Sequence, residues 1–599
     1  MKAFTEPLLS LAGFEEMTKT AEKSSGLISV TGCIDAQKSQ MIYAFGGHRK
    51  NKLIVTFGEQ KAKELYDEYS FFDKEVVYYP SKDVLFYQSD IRGNLLTAER
   101  IRALKAIREQ ERVTLVTTFD ALMNTMAPIE KMWENVLTLE QGQLLDLKEI
   151  QAALIRMGYE KEYQVQTMGQ FSVRGGILDV FPLTEENPIR IELWGDEIDT
   201  IRYFDCESQK SIENIDRVSI YPAAELVLSD EEKAGGIDKL KAEAKRVSDK
   251  LRKQMKTEEA HRVTVMADEL TEEWGELSMY AGMDAFLSYF FDERVGILDY
   301  FNPSDSLIFF DELTRCTEQG KLTETEFSES MKQRLAMGYI LPGQMNGLFT
   351  EKEIVAKLGK YSCIALAALD NKANGLHQLG SYGIHCQSVS PYNNSFELLI
   401  KDLKRYKKNG YRVILLSGSR TRAKRLSEDI TDQGITCLYT ENYDHELFEG
   451  QIMVCYGKVR RGFEYPILKF AVITESDIFG AQQKKKKRHR TYEGEKIQSF
   501  TDLSVGDYVV HENHGLGIYR GIEKLEVDKK VKDYIKIEYQ GGSNLYILAT
   551  QLDMIQKYAG KDARKPKLNK LGGQEWTRTK NRVRGAVKQI AGDLTKLTS

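Results

Sequence analysis

Short apolar runs alternate with helical patterns over the first 130 residues. Runs of about four to eight apolar, β-branched residues predict strands that are buried on both faces. Amphipathic patterns at residues 59–69 and 98–109 predict the helices between them. Since strands that alternate with helices are typical of βαβ units, we expect a mostly parallel sheet covered by helices. The predicted strands are residues 27–31, 53–57, 76–79 and 113–117.

The pattern changes at residue 131. Residues 131–220 hold short paired strands with Gly and Asn-Pro breaks, which predict an antiparallel α+β insert. Residues 221–345 return to α/β character, with a charged helical stretch at 225–260 and a buried strand at 307–310. A further α/β domain is predicted at 350–478, with a helix at 396–409 and strands at 362–367, 412–417, 451–455 and 470–474.

The last 120 residues have a different organisation. Residues 479–495 form a basic linker that contains the charge run 484–490, which is more typical of a solvated linker than of a phosphate-binding segment. Many short strands and turn glycines at 496–560 predict a small SH3/Tudor-like β-barrel. Residues 561–599 are basic and contain the start of a linker helix from about residue 576. The fold class is therefore multidomain α/β.

Composition limits the classes of function. The chain has 599 residues, which corresponds to about four domains. With 42% hydrophobic and 29% charged residues, it is typical of soluble globular proteins. The 84 basic and 89 acidic residues give a net charge of −5, which excludes a uniformly basic coat for nucleic acid but leaves local basic patches open.

The cysteines and the apolar runs indicate in which cellular compartment the protein is expected. Seven scattered cysteines without a CxxC pair argue against disulfides and against a structural zinc site. The N-terminal segment carries acids within its apolar stretch, so it does not resemble a signal peptide. No apolar run approaches the roughly 20 residues that span a bilayer. A cytoplasmic protein without membrane or metal is expected.

A P-loop-like turn follows the first predicted strand. Gly32, Lys38 and Ser39 have the spacing of GxxxxGK[ST], but Gln37 stands at the second glycine. A side chain there crowds the bend that lets backbone N–H groups surround phosphates. We therefore expect a degenerate nucleotide site.

Two acids follow the strand at 307–310. Asp311 and Glu312 have the pattern of a Walker B strand, whose acids hold Mg²⁺ and orient water. Without a phosphate cradle they have little to act on, so a core strand that ends in a solvated acidic turn is favoured. No other GK[ST] occurs in the chain. We predict no ATPase motor, no catalytic residue and no cofactor here.

The insert carries a candidate interaction surface. Alternation along residues 189–194 places Ile189 and Ile191 on one face and Arg190 and Trp194 on the other. An Arg and a Trp on an outer face are typical of protein-interface hot spots. Arg174 precedes a glycine pair and could join them. The alternative, that Trp194 packs under a neighbouring helix, stays open.

His511 and His514 form an HxxH pair without further ligands nearby. Turn histidines are therefore favoured over a metal site.

Four stretches together resemble one family. They are GQFSVRGGILDVFP at 169–182, YFDCESQ at 203–209, GDYVVHENHGLG at 506–517 and KLGGQEW at 570–576. The chain resembles the bacterial transcription-repair coupling factors, the Mfd family, over essentially its whole length. The strand at 545–548 departs from the family pattern, since Ile547-Leu548 replaces a Val-Pro step.

The resemblance implies a fold and two partners. The first 340 or so residues look like the excision-repair protein UvrB with a degenerate nucleotide site, and the insert looks like the UvrB domain that binds UvrA. The β-barrel looks like the domain that docks on the RNA polymerase β subunit by edge-strand pairing. The implied UvrA contacts are Arg174, Arg190 and Trp194, and the implied polymerase contacts are Ile522, Lys524 and Leu525.

The resemblance also implies an adaptor. The chain would bind stalled RNA polymerase and recruit UvrA for nucleotide excision repair, as a monomer. The family's ATP-dependent translocase motor would follow Ser599, so ATP, Mg²⁺ and most contacts to double-stranded DNA are assigned to it. In the intact family member, the UvrA surface is expected to be masked by the C-terminal domain.

Two alternatives remain. A UvrB-like ATP-dependent, damage-binding helicase would need glycine at position 37, where this chain has Gln37. It would also carry an aromatic-rich β-hairpin, and no such stretch occurs between Ser39 and Leu96. A CarD-type transcription regulator would account for the barrel but not for the first 340 residues.

Overall fold

The computed structural model describes most of the chain. The described residues are 1–46, 50–82, 95–206, 208–276, 283–369, 375–480, 495–496, 506–511, 514–527, 530–540, 543–548, 555–557 and 568–569. The chain divides into two units, residues 1–482 and 483–599, which are treated separately below. The predicted linker run 484–490 and the predicted helix from residue 576 lie outside the described residues.

A seven-stranded, all-parallel sheet is the centre of the first unit. Alternate residues of its strands enter two separate cores: Ile28 and Ile54 lie in one, and Leu27 and Leu53 in the other. Both faces are therefore buried, as parallel sheets require. The predicted βαβ arrangement of residues 1–130 is confirmed. In spatial order the strands are Gln378–Gly383, Gly26–Thr31, Ser362–Leu366, Ser306–Asp311, Asn51–Thr56, Val113–Thr118 and Val76–Tyr79.

Helices accompany this sheet. The longest is Leu313–Ala336, which follows the central Ser306–Asp311 strand and packs on the short Phe119–Met123 helix. The remaining ones are Lys2–Leu9, Phe14–Lys23, Asp35–Phe45, Glu59–Phe72, Leu95–Glu109, Ile129–Glu134 and Glu351–Leu358, with 3₁₀ turns at Ile297–Tyr300 and Pro342–Asn346.

One domain assignment from the sequence was wrong. Residues 350–478 were predicted to form a separate domain, but the Ser362–Leu366 strand pairs with Gly26–Thr31 and Ser306–Asp311 inside the first sheet. The run Ser-Cys-Ile-Ala-Leu fits any buried parallel strand, and its two partners are distant in sequence. Local sequence therefore cannot show to which sheet it belongs.

The insert is an antiparallel sheet, as predicted. Its six strands lie in the order Ser211–Ile215, Glu197–Phe204, Ile189–Trp194, Ile177–Val180, Gln170–Arg174 and Glu160–Lys161, and only the last pair is parallel. The Leu147–Arg156 helix contributes Leu154 to the insert's own core. A separate ladder of Leu137–Glu140 with Arg217–Ile220 joins the segments through which the chain enters and leaves.

A helical segment follows the insert. Its helices are Asp230–Lys253 and Thr257–Glu276, followed by the short turns Met283–Phe286 and Leu287–Phe290. Just before it, buried Glu225 accepts from the Arg100 Nε at 2.7 Å. Burial raises the pKa of Glu225, but Arg100 and Lys82 outweigh burial and lower this pKa to about 2. This ion cluster attaches the start of the helical segment to the domain built on the seven-stranded sheet (the first module).

A second α/β sheet begins at residue 387. Its strands lie in the order Gln387–Ser388, Phe463–Tyr465, Phe470–Thr474, Arg412–Ser417, Ile452–Tyr456 and Leu438–Tyr439, and the last four are parallel. Its helices are Phe396–Lys408, Arg420–Asp432 and Glu475–Phe479. Three of the four strands predicted for this domain lie here.

The second unit contains an antiparallel sheet. Its strands lie in the order Glu495–Lys496, Ile555–Lys557, Tyr508–His511, Gly515–Val527, Lys530–Glu538 and Asn544–Leu548. The predicted all-β character agrees with this sheet, whereas closure into an SH3/Tudor-like barrel stays a prediction. Among the described residues of both units, no helix combines the length and apolarity needed to cross a membrane.

Gly32 is a position where only glycine fits. Its φ is +78°, and an added Cβ would lie 2.0 Å from the carbonyl oxygen of Ile384. We expect Gly32→Ala to lower the free energy of unfolding by more than the about 1–2 kcal/mol of a left-handed residue alone. Exposed Gly235, in the Asp230–Lys253 helix, has open space around it, so Gly235→Ala is expected to be neutral or stabilising. Urea unfolding of both variants checks this, and equal effects would contradict it.

Candidate functional site

The nucleotide-like site lies at the carboxyl end of the parallel sheet. The Gly26–Thr31 strand turns at Gly32 into the Asp35–Phe45 helix, whose first turns carry Gln37, Lys38 and Ser39. Asp311 ends the Ser306–Asp311 strand. The fold thus brings together all six residues predicted for the degenerate site, the sixth being Glu312.

The Lys38 ammonium is held by carboxylates. Its Nζ lies 2.5 Å from Asp311 Oδ1, 2.9 Å from Glu312 Oε1 and 3.2 Å from Asp35 Oδ1. Lys38 and Asp311 are both 1% exposed. Burial by itself lowers the pKa of Lys38, but Asp311 and Glu312 raise it further than burial lowers it. A lysine has three donors, and here each has a carboxylate, so none is free for a phosphate.

The surroundings complete this closure. Gln37 is fully buried, and burial raises the pKa of the neighbouring Cys33 thiol to about 11. Glu312 has a left-handed backbone with φ of 61° and accepts from the Ala368 N–H at 3.1 Å. The expectation of a solvated acidic turn was wrong for Asp311, because that carboxylate pairs with Lys38 in the interior.

Sequence reasoning missed one partner of this cluster. Thr56 ends a neighbouring strand, and its hydroxyl donates to Asp311 Oδ2 at 2.9 Å. No local pattern distinguishes this threonine from the other β-branched residues of the sheet.

The insert's outer face is organised by a residue that the sequence did not single out. Asp179 is 1% exposed and accepts from Arg190 Nε at 2.7 Å and from Arg174 Nη2 at 2.8 Å. The Arg190 guanidinium also lies 4.4 Å from the Phe204 ring centre. Its side chain is 13% exposed, and the hydrogen bond to Asp179 raises its pKa despite burial. Register explains the contact, because Asp179 and Arg190 face each other on adjacent strands.

Trp194 is exposed. It is 84% accessible at the end of its strand, so the alternative in which it packs under a helix is wrong. Ile189 and Ile191 are fully buried, and the predicted division into two faces holds for them. Beside Trp194 lies an open groove of about 660 Å³ whose walls include Glu197, Asp199, Asp216 and Glu140.

The residues predicted to contact polymerase lie in one strand. Ile522, Lys524 and Leu525 belong to Gly515–Val527 and lie opposite Ile535, Asp533 and Lys532. Their side chains lie outside the described part of the structure. The 508–511 strand pairs with this strand only at residues 515–518. Beyond residue 520, described strands border it on one side only.

The histidine pair lies near these strands. The rings of His511 and His514 have centres 4.8 Å apart, and burial lowers the pKa of His514. Within the described ranges no group of three or more His, Cys, Asp or Glu is placed to hold a metal ion.

The fold defines a multidomain α/β protein with an antiparallel insert and a further antiparallel sheet in its second unit. The UvrB interaction domain family matches residues 137–226, which contain the Asp179 cluster and Trp194. The CarD-like/TRCF RID domain family matches residues 503–559, which contain the Gly515–Val527 strand.

Two longer relatives that the chain resembles are both named transcription-repair-coupling factor. The chain is 32% identical over 547 residues to the transcription-repair-coupling factor of Bacillus subtilis (strain 168), covering 91% of this chain and 46% of the relative. It is 30% identical over 599 residues to that of Staphylococcus aureus (strain MRSA252), covering 98% of this chain and 49% of the relative. The chain is thus a homologue of the transcription-repair-coupling factors along almost its entire length, which confirms the resemblance. It spans about half the length of these curated relatives.

Removal of the buried ammonium should unfold the first module more easily. Lys38→Met leaves Asp311 buried without its cation, and breaking a buried pair typically costs about 3–5 kcal/mol. Lys61→Met is the control, because Lys61 pairs at 2.8 Å with Asp35, whose side chain is 69% exposed, so its loss should cost less than about 1 kcal/mol. Denaturant unfolding measures both. A Lys38→Met variant as stable as Lys61→Met would contradict the closed-site interpretation.

Proposed function

We propose that this chain is the adaptor part of a transcription-repair coupling factor. It binds stalled RNA polymerase through the 503–559 domain and UvrA through the 137–226 domain. The observation that carries the proposal is an exposed tryptophan at the end of the strand that also holds Arg190, one of two arginines fixed by Asp179, within a domain of the UvrB interaction family. Docking polymerase and UvrA on one chain would bring the excision machinery to the stalled site.

The proposed UvrA surface combines one exposed apolar side chain with two arginines that are already held in place. Exposed Trp194 offers a large apolar area whose burial would favour binding. Arg174 and Arg190 are already oriented by Asp179, so they lose little freedom when a partner docks. Four acids and one arginine, Arg217, line the groove beside Trp194, and this excess of acids favours a partner surface that presents basic residues.

Trp194→Ala should abolish or strongly weaken UvrA binding without affecting the fold. The reason is that the side chain is 84% exposed, so its removal leaves no cavity. Tyr163→Ala is a matched control, since Tyr163 is 75% exposed in the same domain. Binding to purified UvrA is measured by biolayer interferometry beside the melting temperature. Unchanged UvrA affinity of Trp194→Ala would reject the proposed contact.

Arg190→Ala is a less specific test. It removes two hydrogen bonds to buried Asp179 and the contact with Phe204, so it should also destabilise the insert by about 1–3 kcal/mol. Loss of UvrA binding in that variant therefore needs a stability measurement beside it.

The polymerase surface is the open side of residues 521–527. Among the described strands only Lys530–Glu538 pairs with residues 521–527, so their other edge would take a strand from the β subunit, as in β-augmentation. Leu525 would supply the central apolar contact, flanked by Ile522 and Lys524. The departure at Ile547–Leu548 lies two strands away across the sheet.

Leu525→Arg should abolish binding to RNA polymerase and leave UvrA binding intact, because the two surfaces belong to different domains. Trp194→Ala supplies the reciprocal control, which should retain polymerase binding while UvrA binding disappears. Pull-down of purified core polymerase and of UvrA on the tagged chain measures both. Simultaneous loss of both partners in either variant would indicate misfolding or a shared surface, contrary to the proposal.

We further propose that this chain does not hydrolyse ATP, and that ATP and Mg²⁺ act in a translocase motor of the longer relatives. The saturated Lys38 ammonium supports this view over the UvrB-like helicase alternative. Steady-state ATPase activity of the purified chain, with or without duplex DNA, should not exceed the buffer background.

A further inference from the structure

The Arg420–Asp432 helix carries its charges in an order that disfavours a helix. It has no acid in its first turn and no basic residue in its last turn. Cations near a helix N-terminus oppose the macrodipole. The Phe396–Lys408 helix of the same domain has the favourable order, with Glu397 first and Arg405 among its last residues. The helix macrodipole therefore does not explain the cations near the start of the 420–432 helix, which are Arg420, Arg422, Lys424 and Arg425.

A second basic group lies beside the first. Lys458, Arg460 and Arg461 occupy the loop after the Ile452–Tyr456 strand. This strand is parallel to Arg412–Ser417, and the Gly457 N–H donates to the Ser417 carbonyl at 3.0 Å. The two loops therefore start side by side at the carboxyl end of the second sheet.

A short helix fixes both loops. Glu475 Oε2 accepts from the Gly418 N–H at 2.6 Å and from the Ser417 hydroxyl at 2.8 Å, and Glu475 also pairs with Arg422. Asp477 Oδ2 accepts from the Gly462 N–H at 2.7 Å at the end of the second loop. The backbone of the basic edge is thus ordered before any partner binds.

Most of this positive charge is not neutralised. Arg422 pairs with Glu475, Arg460 with Glu64, and Arg420 lies 3.4 Å from Glu441. The other four side chains are exposed and form no ion pair with a described residue; they are Lys424, Arg425, Lys458 and Arg461. This concentration of cations occurs in a chain whose net charge is −5.

We propose that this basic edge, residues 418–425 and 457–462, binds the phosphate backbone of double-stranded DNA without sequence preference. Clustered, unpaired Lys and Arg on an ordered surface are the electrostatic requirement for such contacts. Neither segment contains an aromatic residue, whereas sites for single strands stack bases on aromatic side chains. The proposal rests on neither the UvrA nor the polymerase contact, since it concerns a different domain.

The test is a salt titration of duplex binding. A fluorescein-labelled duplex of mixed sequence is titrated with the full chain, and anisotropy is followed over a range of salt concentrations. The test variant carries Lys424→Gln, Arg425→Gln, Lys458→Gln and Arg461→Gln. We expect its affinity to fall at least about tenfold at low salt. The slope of log K against log[salt] should also fall by about 0.9 for each phosphate that the variant no longer neutralises.

Three comparisons keep the result specific. Lys404→Gln with Lys408→Gln removes exposed charge from the 396–408 helix and should change neither affinity nor slope. Neutralising the basic run 484–490 should leave the effect of the four substitutions in place. Melting temperatures of all variants should match that of the unsubstituted chain.

Two outcomes would overturn the proposal. One is unchanged affinity and slope in the fourfold variant, with duplex binding abolished only when residues 484–490 are neutralised. The other is competition by poly-glutamate as effective, charge for charge, as by unlabelled duplex, which would assign the edge to an acidic protein instead.

Discussion

A buried lysine, whose charge is balanced by carboxylates of the chain itself, is the interaction on which the first module depends. Lys38 joins the helix after the first strand to the end of the central Ser306–Asp311 strand, and three carboxylates take up its charge. Because a buried ammonium must be paired, this cluster fixes the crevice at the carboxyl end of the sheet. The seven-stranded sheet can then act as a scaffold for the insert and for the helical segment. The insert is joined through its two-stranded ladder, and the helical segment through the Glu225–Arg100 ion pair.

The domains differ in whether their polar clusters are closed by internal pairing or leave side chains exposed for a partner. In the first module, polar groups at the sheet's carboxyl end bind one another. In the insert, Asp179 orients two arginines while Trp194 stays free. In the second α/β domain, Glu475 and Asp477 order two loops, and four cations of these loops form no ion pair with any residue that the structure describes. In each case a carboxylate fixes the position of basic side chains or of backbone N–H groups. The clusters differ in which neighbouring side chains stay exposed to solvent, namely Trp194 in the insert and the four cations in the second α/β domain.

The sequence was informative where the chemistry is local. β-Branched runs placed the strands of the first 130 residues, and Gln37 led to the prediction of a degenerate nucleotide site. Long-range pairing was not accessible in this way. The Ser362–Leu366 strand joined a different sheet from the one expected, because a uniformly apolar strand does not specify its partners. Asp179 and Thr56 were missed for a related reason, since each acquires its role only from the register of neighbouring strands.

The exposure of Trp194 also provides an optical probe. The chain has four tryptophans. Trp274 is 2% exposed and Trp133 is partly buried, whereas Trp194 is 84% exposed. An indole in water emits at longer wavelength than one in an apolar environment. Contact at this strand end would therefore shift the red edge of the intrinsic emission toward the blue, so that occupancy of the insert can be followed without any label.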